Sequence, residues 1–457
     1  MSFLDDDYLL DSPTAVDLYD AVRDLPIVDP HNHIDLAEVV ANEPWTDVWA
    51  VEGATDHYVW QLMRKRGVPE ERITGDASNR EKWDALAAVF PEFAGNPTYD
   101  WVHLDLKRRF GIDRPLNADT ADAIWAETKR QLAEPDMRPQ AVLRDMNVEV
   151  ICSTDDPTAD LALHERATEE VAGVDVRPTW RPDRAIKVGN PEWTTFLADL
   201  DAATATDADV DGFGGFLDAL AETHDHFARH GCVACDLGLD TEPVTRPVSD
   251  DRAAAVFEKA RRGRTLSERE RLDFRAYMLA FVGELNAAAG WVTQLHVGAV
   301  RDYRASLRER VGPNAGGDVS TGDVDLVDGL DHFLDRFDGE MEVVLYTLDP
   351  THYPDATVVA RAYPNVSVGP AWWFNDSPMG IANQLERVAS VGLLANHAGM
   401  VSDSRKVVSY GSRFEMFRRT LANTVGEMVE RGRVPYDAAE RLVERVAYDR
   451  PKELYGL

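Results

Sequence analysis

Eight short apolar runs recur along this chain, and each of them ends in polar residues. The runs occupy residues 25–33, 148–157, 176–183, 231–239, 291–300, 341–350, 366–374 and 393–405. Helical stretches with a 3.6-residue period lie between most of them, as at 266–290 and 380–391. Apolar strands alternating with helices are typical of a parallel sheet that is buried on both faces. The pattern therefore predicts an α/β fold, a closed (β/α)₈ TIM barrel whose strand ends carry the chemistry.

The first connection is much longer than a single crossover helix requires. Residues 34–147 separate the first two runs and read as several helices, for example 55–66, which is capped by Gly67, and 117–132. We expect residues 1–33 and 148–457 to form the barrel, and 34–147 to form a helical insertion that acts as a lid over its mouth. An open doubly wound sheet would carry a glycine-rich phosphate loop after the first run, and the sequence shows none.

The net charge of the chain restricts the classes of molecule that it can bind. The chain has 457 residues, of which 81 are acidic and 48 are Lys or Arg, so its formal net charge is −33. Nucleic acids and anionic membrane surfaces both require clustered cations, so neither is an expected partner. Lysine contributes only eight of the positive charges. A surface rich in Asp and Glu and poor in Lys is favoured in a very salty cytoplasm, and we interpret the chain as a halophilic enzyme.

The same composition indicates a cytoplasmic protein. Residues 1–7 are acidic and lack the basic and apolar regions of a signal peptide. No apolar run approaches 18 residues, so no membrane span is predicted. Three cysteines are too few for a disulfide framework, as expected in a reducing compartment.

His31-Asn32-His33 ends the first apolar run. Positions i and i+2 of a strand project on the same face, so both imidazoles can reach one cation. Asp403, at the end of the eighth run, is the candidate third ligand, because the first and eighth strands of a closed barrel are neighbours; a helix N-cap is its alternative role. The His pair alone also fits a purely structural role. His296 ends the fifth run and is a candidate further ligand, a substrate contact or a core residue.

Arginines and a tryptophan surround the same expected mouth. Arg181 ends the third run, Arg301 follows the fifth, and Arg405 lies two residues after Asp403. A planar guanidinium binds a carboxylate through two parallel hydrogen bonds, so the cluster favours an anionic substrate, although Arg301 fits an ordinary ion pair equally well. Trp373 closes the seventh run, where it either stacks against a sugar or fills the core.

Long motifs along the chain resemble the uronate (glucuronate) isomerases, a branch of the metal-dependent amidohydrolase superfamily. The matching stretches are DPHNHI at 29–34, DHYVWQLMRKRGV at 56–68, ITGDASNREKWDA at 73–85, GNPTYDWVHLDLKRRFGI at 95–112, STDDP at 153–157, PTWRPD at 178–183, QLHVGAVRD at 294–302, AWWFND at 371–376 and SDSRKVVSY at 402–410. Two stretches depart from the family pattern: CDLG at 235–238 replaces SDHG, and RFEMFRR at 413–419 replaces RHEYFRR. The preference among uronates is therefore left open.

The resemblance implies a (β/α)₈ barrel with a helical insertion and a reaction that interconverts aldose and ketose hexuronates. It places a metal on His31, His33 and Asp403, and substrate contacts on His57, Tyr58, Arg181 and Arg405. We expect one divalent cation, zinc first with manganese or cobalt as alternatives, and no organic cofactor. The expected partners are a hexuronate substrate and further copies of the chain.

The reaction needs a base at C2 and an acid at the carbonyl oxygen. Asp403 is the predicted base, and Tyr58 is predicted to protonate or hydrogen-bond the carbonyl oxygen. His57 and Arg405 would stabilise the developing oxyanion. A mononuclear metal-dependent hydrolase of the same superfamily is the alternative function.

Overall fold

The computed structural model describes residues 3–190, 192–204, 210–241 and 243–457. Its strands are β1 Ile27–Asp29, β2 Val148–Cys152, β3 Asp175–Arg177, β4 Ala234–Asp240, β5 Val292–Val297, β6 Ala299–Val300, β7 Val319–Ser320, β8 Val343–Thr347 and β9 Val366–Val368.

Helices make up most of the remaining regular structure. The α-helices are α1 Pro13–Val22, α2 Leu36–Ala41, α3 Val48–Glu52, α4 His57–Lys65, α5 Asn79–Val89, α6 Pro97–Phe110, α7 Ala121–Leu132, α8 Pro139–Asp145, α9 Ala162–Glu170, α10 Asp183–Ile186, α11 Trp193–Ala203, α12 Phe213–Arg229, α13 Asp250–Arg261, α14 Glu268–Ala289, α15 Ala305–Val311, α16 Leu326–Arg336, α17 Tyr353–Ala362, α18 Pro378–Val391, α19 Ser409–Glu430, α20 Tyr436–Glu444 and α21 Arg450–Tyr455. Short 3₁₀ turns lie at Glu70–Arg72, Phe90–Phe93, Pro135–Met137, Pro350–His352, Trp373–Asn375 and Leu394–Asn396, and a π-helical turn at Arg445–Asp449. In the described parts of the chain, no helix combines the length and apolarity that a bilayer crossing requires.

The long strands pair in parallel, as the apolar runs predict. One sheet has the order β1-β2-β3 and another the order β4-β5-β8-β9, with every pair parallel. Trp180, just beyond β3, forms parallel bridges to Asp155 on one side and to Cys235 of β4 on the other. These bridges connect the two sheets edge to edge. The predicted α/β class with parallel strands is therefore confirmed.

The eighth run does not form a regular strand. Residues 398–404, all of them described, nevertheless hydrogen-bond on both sides: Ala398 N donates to Val368 O at 3.0 Å, and Asp403 N donates to His31 O at 3.2 Å. Gly399 has φ +86° and Asp403 has φ +46°, so the backbone leaves the extended region twice within a few residues. These two turns explain why an apolar run predicted as a strand lacks strand geometry.

Residues 34–147 contain α2 to α8 and no strand among their described positions. Both predicted helices in this segment are present, as α4 and α7, with their starts shifted by a few residues. Aromatic residues of the segment, such as Trp83, Phe90 and Trp101, belong to the same buried apolar cluster as residues of α19. The segment therefore packs onto the sheet-bearing part of the chain rather than around a separate core.

Capping residues set the start of the helix that leads toward the site. Asp56 precedes α4 and accepts hydrogen bonds from Tyr58 N at 2.8 Å and from Val59 N at 3.4 Å. A carboxylate at this position satisfies amides that have no partner inside the helix. His57 and Tyr58 are consequently held at the first turn of α4.

Candidate active site

The two histidines of the first run and the aspartate of the eighth meet at one point. His31 Nε2 and His33 Nε2 each lie 3.3 Å from Asp403 Oδ1. The three side chains offer ligand atoms that all lie within 4.8 Å of one another. In a tetrahedral site with bonds of about 2.0–2.1 Å, neighbouring ligand atoms are about 3.3–3.4 Å apart. The donor set and its spacing therefore fit a divalent cation.

Backbone contacts fix this arrangement. His33 N donates to Ser404 O at 2.8 Å, and Asp403 N donates to His31 O, so the two ligand segments are bound to each other directly. Trp372 Nε1 donates to Asp403 Oδ2 at 3.0 Å, which leaves Oδ1 to face the imidazoles. Burial alone would raise the pKa of Asp403, but its hydrogen bonds with His31 and His33 lower it well below the usual range. Asp403 is thus held as a carboxylate.

Asp236 of β4 is a site residue that the sequence analysis did not identify. Its Oδ1 lies 2.7 Å from His296 Nδ1, and its Oδ2 lies 3.1 Å from Arg181 Nη1 and 3.7 Å from His31 Nδ1. Burial would raise the pKa of Asp236, but Arg181, His296 and His31 together lower it far below its ordinary value. Asp236 thus places a negative charge behind the His31 ring, whose opposite nitrogen, Nε2, faces Asp403.

A signal for Asp236 was present in the sequence. Asp236 alternates along β4 with Cys235 and Leu237, both of which belong to a buried apolar cluster. An aspartate inside a run of buried strand positions requires a cation or hydrogen-bond donors, because an unpaired buried charge is strongly unfavourable. Leu237, which replaces the histidine of the family pattern, is fully buried and packs in that apolar cluster.

The ligand triad lies on the wall of a cleft that is open to solvent. Arg301 lies over the Trp373 ring at 5.3 Å, and its Nε is 3.7 Å from Asp240 Oδ1. Arg301 therefore has the ordinary ion pair that the sequence left as the alternative to substrate binding, and it also lines the cleft. The cleft is lined by His31, His33, His57, Arg181, His296, Arg301, Asp318, Trp372, Trp373, Asp403 and Arg405.

His57 and Tyr58 line two different cavities, although their ring centroids lie only 4.4 Å apart. His57 lines the cleft, and its imidazole meets Trp373 edge-on at 5.9 Å. Burial, and then the charge of Arg405, lower the pKa of His57 to about 4, so it is neutral near pH 7. Tyr58 instead lines a neighbouring cavity that shares Trp373 with the cleft. Of the predicted site residues, Tyr58 is the one that the structure does not place on the cleft wall.

The Tyr58 hydroxyl is nevertheless available for a new hydrogen bond. Tyr58 Oη is buried and has no hydrogen-bond partner among the described residues. Its ring lies under the guanidinium of Arg413 at 5.0 Å and edge-on to Trp101 at 5.4 Å. Burial, with a contribution from Asp403, raises the pKa of Tyr58 above its ordinary value, so the phenol stays protonated.

Asp318 is a second cleft residue that the sequence analysis missed. It precedes β7, which pairs antiparallel with β6 in a register that puts Val300 opposite Val319. Continuing that register places Asp318 beside Arg301. The Asp318 carboxylate accepts a hydrogen bond from Asp302 N at 2.6 Å. No sequence pattern predicts this contact, because it depends on the pairing of β6 with β7, each of which is only two residues long.

Comparison with known proteins identifies the family. A family model described as glucuronate isomerase matches residues 1–455, which is nearly the whole chain. The chain belongs to the glucuronate isomerase family. Among its relatives, the uronate isomerase of Thermotoga maritima is 54% identical over 99% of both chains, and that of Shouchella clausii is 37% identical over 100% of this chain and 98% of its own.

Solved structures of the glucuronate isomerase family agree with this fold. A crystal structure of the uronate isomerase from Thermotoga maritima superposes with a TM-score of 0.97 at 53% identity, covering 100% of both chains. The glucuronate isomerase from Caulobacter crescentus superposes with a TM-score of 0.95 at 28% identity, covering 99% of this chain and 97% of that one. The similarity therefore extends over the whole chain, including the segment 34–147.

Proposed function

We propose that this chain interconverts aldose and ketose hexuronates, D-glucuronate with D-fructuronate and D-galacturonate with D-tagaturonate. Membership of the glucuronate isomerase family makes it an aldose–ketose isomerase. The observation that carries the proposed site is the convergence of His31, His33 and Asp403 beside an arginine-lined cleft.

The proposed architecture is a closed (β/α)₈ barrel with an insertion at 34–147. Seven parallel strands are linked edge to edge through Trp180, and residues 398–404 hydrogen-bond to both β9 and the end of β1. These contacts support a ring of eight segments. The cleft is lined by residues that follow β1, β3 and β9 and by His296 near the carboxyl end of β5, the end at which such barrels hold their active sites. In this proposal α4 of the insertion covers one side of the mouth.

His31, His33 and Asp403 would hold the cation, and zinc suits two imidazoles and one carboxylate, with manganese and cobalt as alternatives. When bound there, a divalent cation supplies Lewis-acid stabilisation of negative charge on substrate oxygens. Asp236 and Trp372 orient His31 and Asp403 from behind.

The proton transfers are assigned to side chains of this chain. Asp403 takes the proton from C2 of the aldose, and Tyr58, whose raised pKa keeps its hydroxyl protonated, protonates or hydrogen-bonds the carbonyl oxygen at C1. Neutral His57 and cationic Arg405 stabilise the negative charge that develops on the enediolate. Asp403 then returns its proton to C1, and the proton that leaves the C2 hydroxyl restores Tyr58, so the carbonyl forms at C2 with no net oxidation.

The remaining cleft residues would bind the substrate. Arg181 and Arg301 provide positive charge for the carboxylate end, since Arg181 lies inside the cleft and Arg301 at its rim. His296, held by Asp236, offers its second ring nitrogen to a hydroxyl. Trp373 provides an aromatic wall for the carbon chain.

A hydrolase is the alternative that the sequence left open. Two features favour the isomerase over it: the full-length similarity to proteins named uronate isomerase, and the arginines around the cleft. Release of product from an amide or lactone, without ketose formation from either uronate, would favour the hydrolase instead.

The direct experiment is NMR detection of the ketose after incubation of the purified protein with zinc and each uronate separately, in molar salt. We expect ketose from at least one uronate. Asp403→Asn should retain less than about a tenth of the rate, because positioned proton transfer contributes on the order of 10²–10⁴-fold. A higher residual rate would contradict the base assignment. In deuterated water, label at C1 would support the enediol route, whereas retention of the substrate hydrogen would favour a hydride shift.

A further inference from the structure

A buried lysine outside the cleft connects the two segments that carry the proposed catalytic groups. Lys406 Nζ lies 2.8 Å from Glu52 Oε2, 3.3 Å from Asp56 Oδ2 and 3.8 Å from Asp105 Oδ2. All four side chains are less than a tenth exposed. The carboxylates come from the end of α3, the cap of α4 and the middle of α6, whereas Lys406 follows Asp403 by three residues.

The ammonium group of Lys406 stabilises three carboxyl groups that would otherwise repel one another. Three carboxyl groups face one cation, and burial raises the pKa values of Glu52 and Asp105 above their usual range. Asp56 is different, because Lys406 offsets the effect of burial and lowers its pKa. Lys406 thus stabilises the carboxylate of Asp56, the residue that caps α4.

Asp56 consequently has two functions at once. One oxygen accepts from Tyr58 N, and the other faces Lys406 Nζ. A second contact runs in parallel, since Thr55 Oγ1 donates to Arg405 O at 3.2 Å. The first turn of α4 is thus attached at two adjacent points to the segment that follows Asp403.

The Lys406 end of this connection is itself rigid. Lys406 N donates to Ser404 Oγ at 3.1 Å, and Ser404 Oγ donates to Lys406 O at 3.0 Å. Ser402 N in turn donates to Asp29 Oδ1 at 2.8 Å. Residues 402–406 are therefore fixed to β1 at one end and to α3, α4 and α6 at the other.

We propose that Lys406 is a positioning residue that clamps the first turn of α4 onto the segment 403–405 and so sets His57 and Tyr58 opposite Asp403. The inference rests on the catalytic roles proposed for those three residues. Lys406 does not line the cleft, so it acts through Asp56 and the backbone rather than on the substrate.

The test compares Lys406→Met with a matched control, Arg418→Met. Arg418 is also a buried cation, but it donates to backbone oxygens of Arg23 and Pro26 at the start of β1, away from the cleft. Both variants are expected to lose stability. A displacement of about 1 Å at reacting groups can lower the rate on the order of 100-fold. We therefore expect kcat of Lys406→Met to fall about 100-fold, and by a larger factor than KM rises, while kcat of Arg418→Met stays within threefold of wild type.

Three further readouts separate positioning from general destabilisation. Zinc content should remain at one equivalent in Lys406→Met. Hydrogen exchange across residues 53–66 should speed up in that variant and not in Arg418→Met. Lys406→Arg keeps the charge, so its kcat should be at least tenfold higher than that of Lys406→Met. If Lys406→Met does not fold, Asp56→Asn takes its place, because asparagine keeps the capping oxygen and loses the charge that faces Lys406.

The inference is overturned if the folded variants, Lys406→Met or Asp56→Asn, keep kcat within threefold of wild type with unchanged exchange across 53–66. Equal losses in Lys406→Met and Arg418→Met would also overturn it, by showing a purely structural effect. If the wild-type protein converts neither uronate, the proposed function fails, and the exchange measurement still decides whether Lys406 clamps α4.

Discussion

Replacing Trp372 by Phe removes the indole donor to the proposed metal ligand while keeping a ring in its place. In the structure Trp372 Nε1 donates to Asp403 Oδ2 at 3.0 Å, in a buried position. A hydrogen bond to a charged acceptor contributes about 1.5–3 kcal/mol, and each 1.4 kcal/mol corresponds to about tenfold in affinity. Trp372→Phe is therefore expected to weaken zinc binding about 10–100-fold, because Asp403 is no longer held with Oδ1 toward the imidazoles.

The assay is competition for zinc against a chromophoric chelator in molar salt. Trp83→Phe is the matched control, since Trp83 is equally buried and its Nε1 donates to the backbone oxygen of Ala121, at a different place in the fold. The control should bind zinc like wild type. A Trp372→Phe affinity within twofold of wild type would refute the orienting role, and an equal loss in both variants would show a global effect.

Two further predictions concern conditions rather than the site. Lowering the pH from 7 to 5 should reduce the free energy of unfolding, because burial lowers the pKa of His103 to about 4, whereas unfolded histidine titrates near 6.5. Between pH 7 and pH 5 the proton binds this histidine in the unfolded chain but not in the folded one. The urea midpoint of His103→Gln should therefore fall less over this pH range than that of wild type. An identical fall in both proteins would contradict the argument. With a net charge of −33, the chain should unfold at a higher temperature in 2 M than in 0.1 M KCl, as salt screens self-repulsion, and a melting temperature independent of salt would refute the halophilic interpretation.

Much of the fold could be predicted from short apolar runs. The runs at 291–300 and 341–350 contain β5 and β8, and the run at 231–239 covers all but the last residue of β4, because strands buried on both faces must be apolar along their length. The eighth run was predicted as a strand for the same reason. Its backbone turns at Gly399 and Asp403 depend on contacts with β1 and the neighbouring loops, which a local pattern does not contain.

The proposed ligand set could also be predicted from the i, i+2 spacing of His31 and His33 and from the place of Asp403 in the neighbouring eighth run, although β1 ends at Asp29, before both histidines. The place of Tyr58 could not, although it was named as a site residue. Its side chain lines the cavity next to the cleft, where its ring packs against Trp101 and Arg413. Sequence spacing puts Tyr58 next to His57 and gives no information about which cavity each one enters.

Asp236 and Lys406 illustrate a second limit. Each is a buried charge whose partners come from distant parts of the chain, such as Arg181 for the former and Glu52 for the latter. The sequence shows that such a charge needs a partner but does not say which one. Only the three-dimensional fold reveals that both groups stand directly behind the proposed ligands and catalytic side chains.

The central claim is that His31, His33 and Asp403 bind one cation on which isomerisation depends, and titration of chelator-treated protein with zinc tests it most directly. The rate of ketose formation should start near zero, rise in proportion to added zinc and level off at one equivalent. Full activity before any metal is added, or a rise that continues to two equivalents, would contradict the claim.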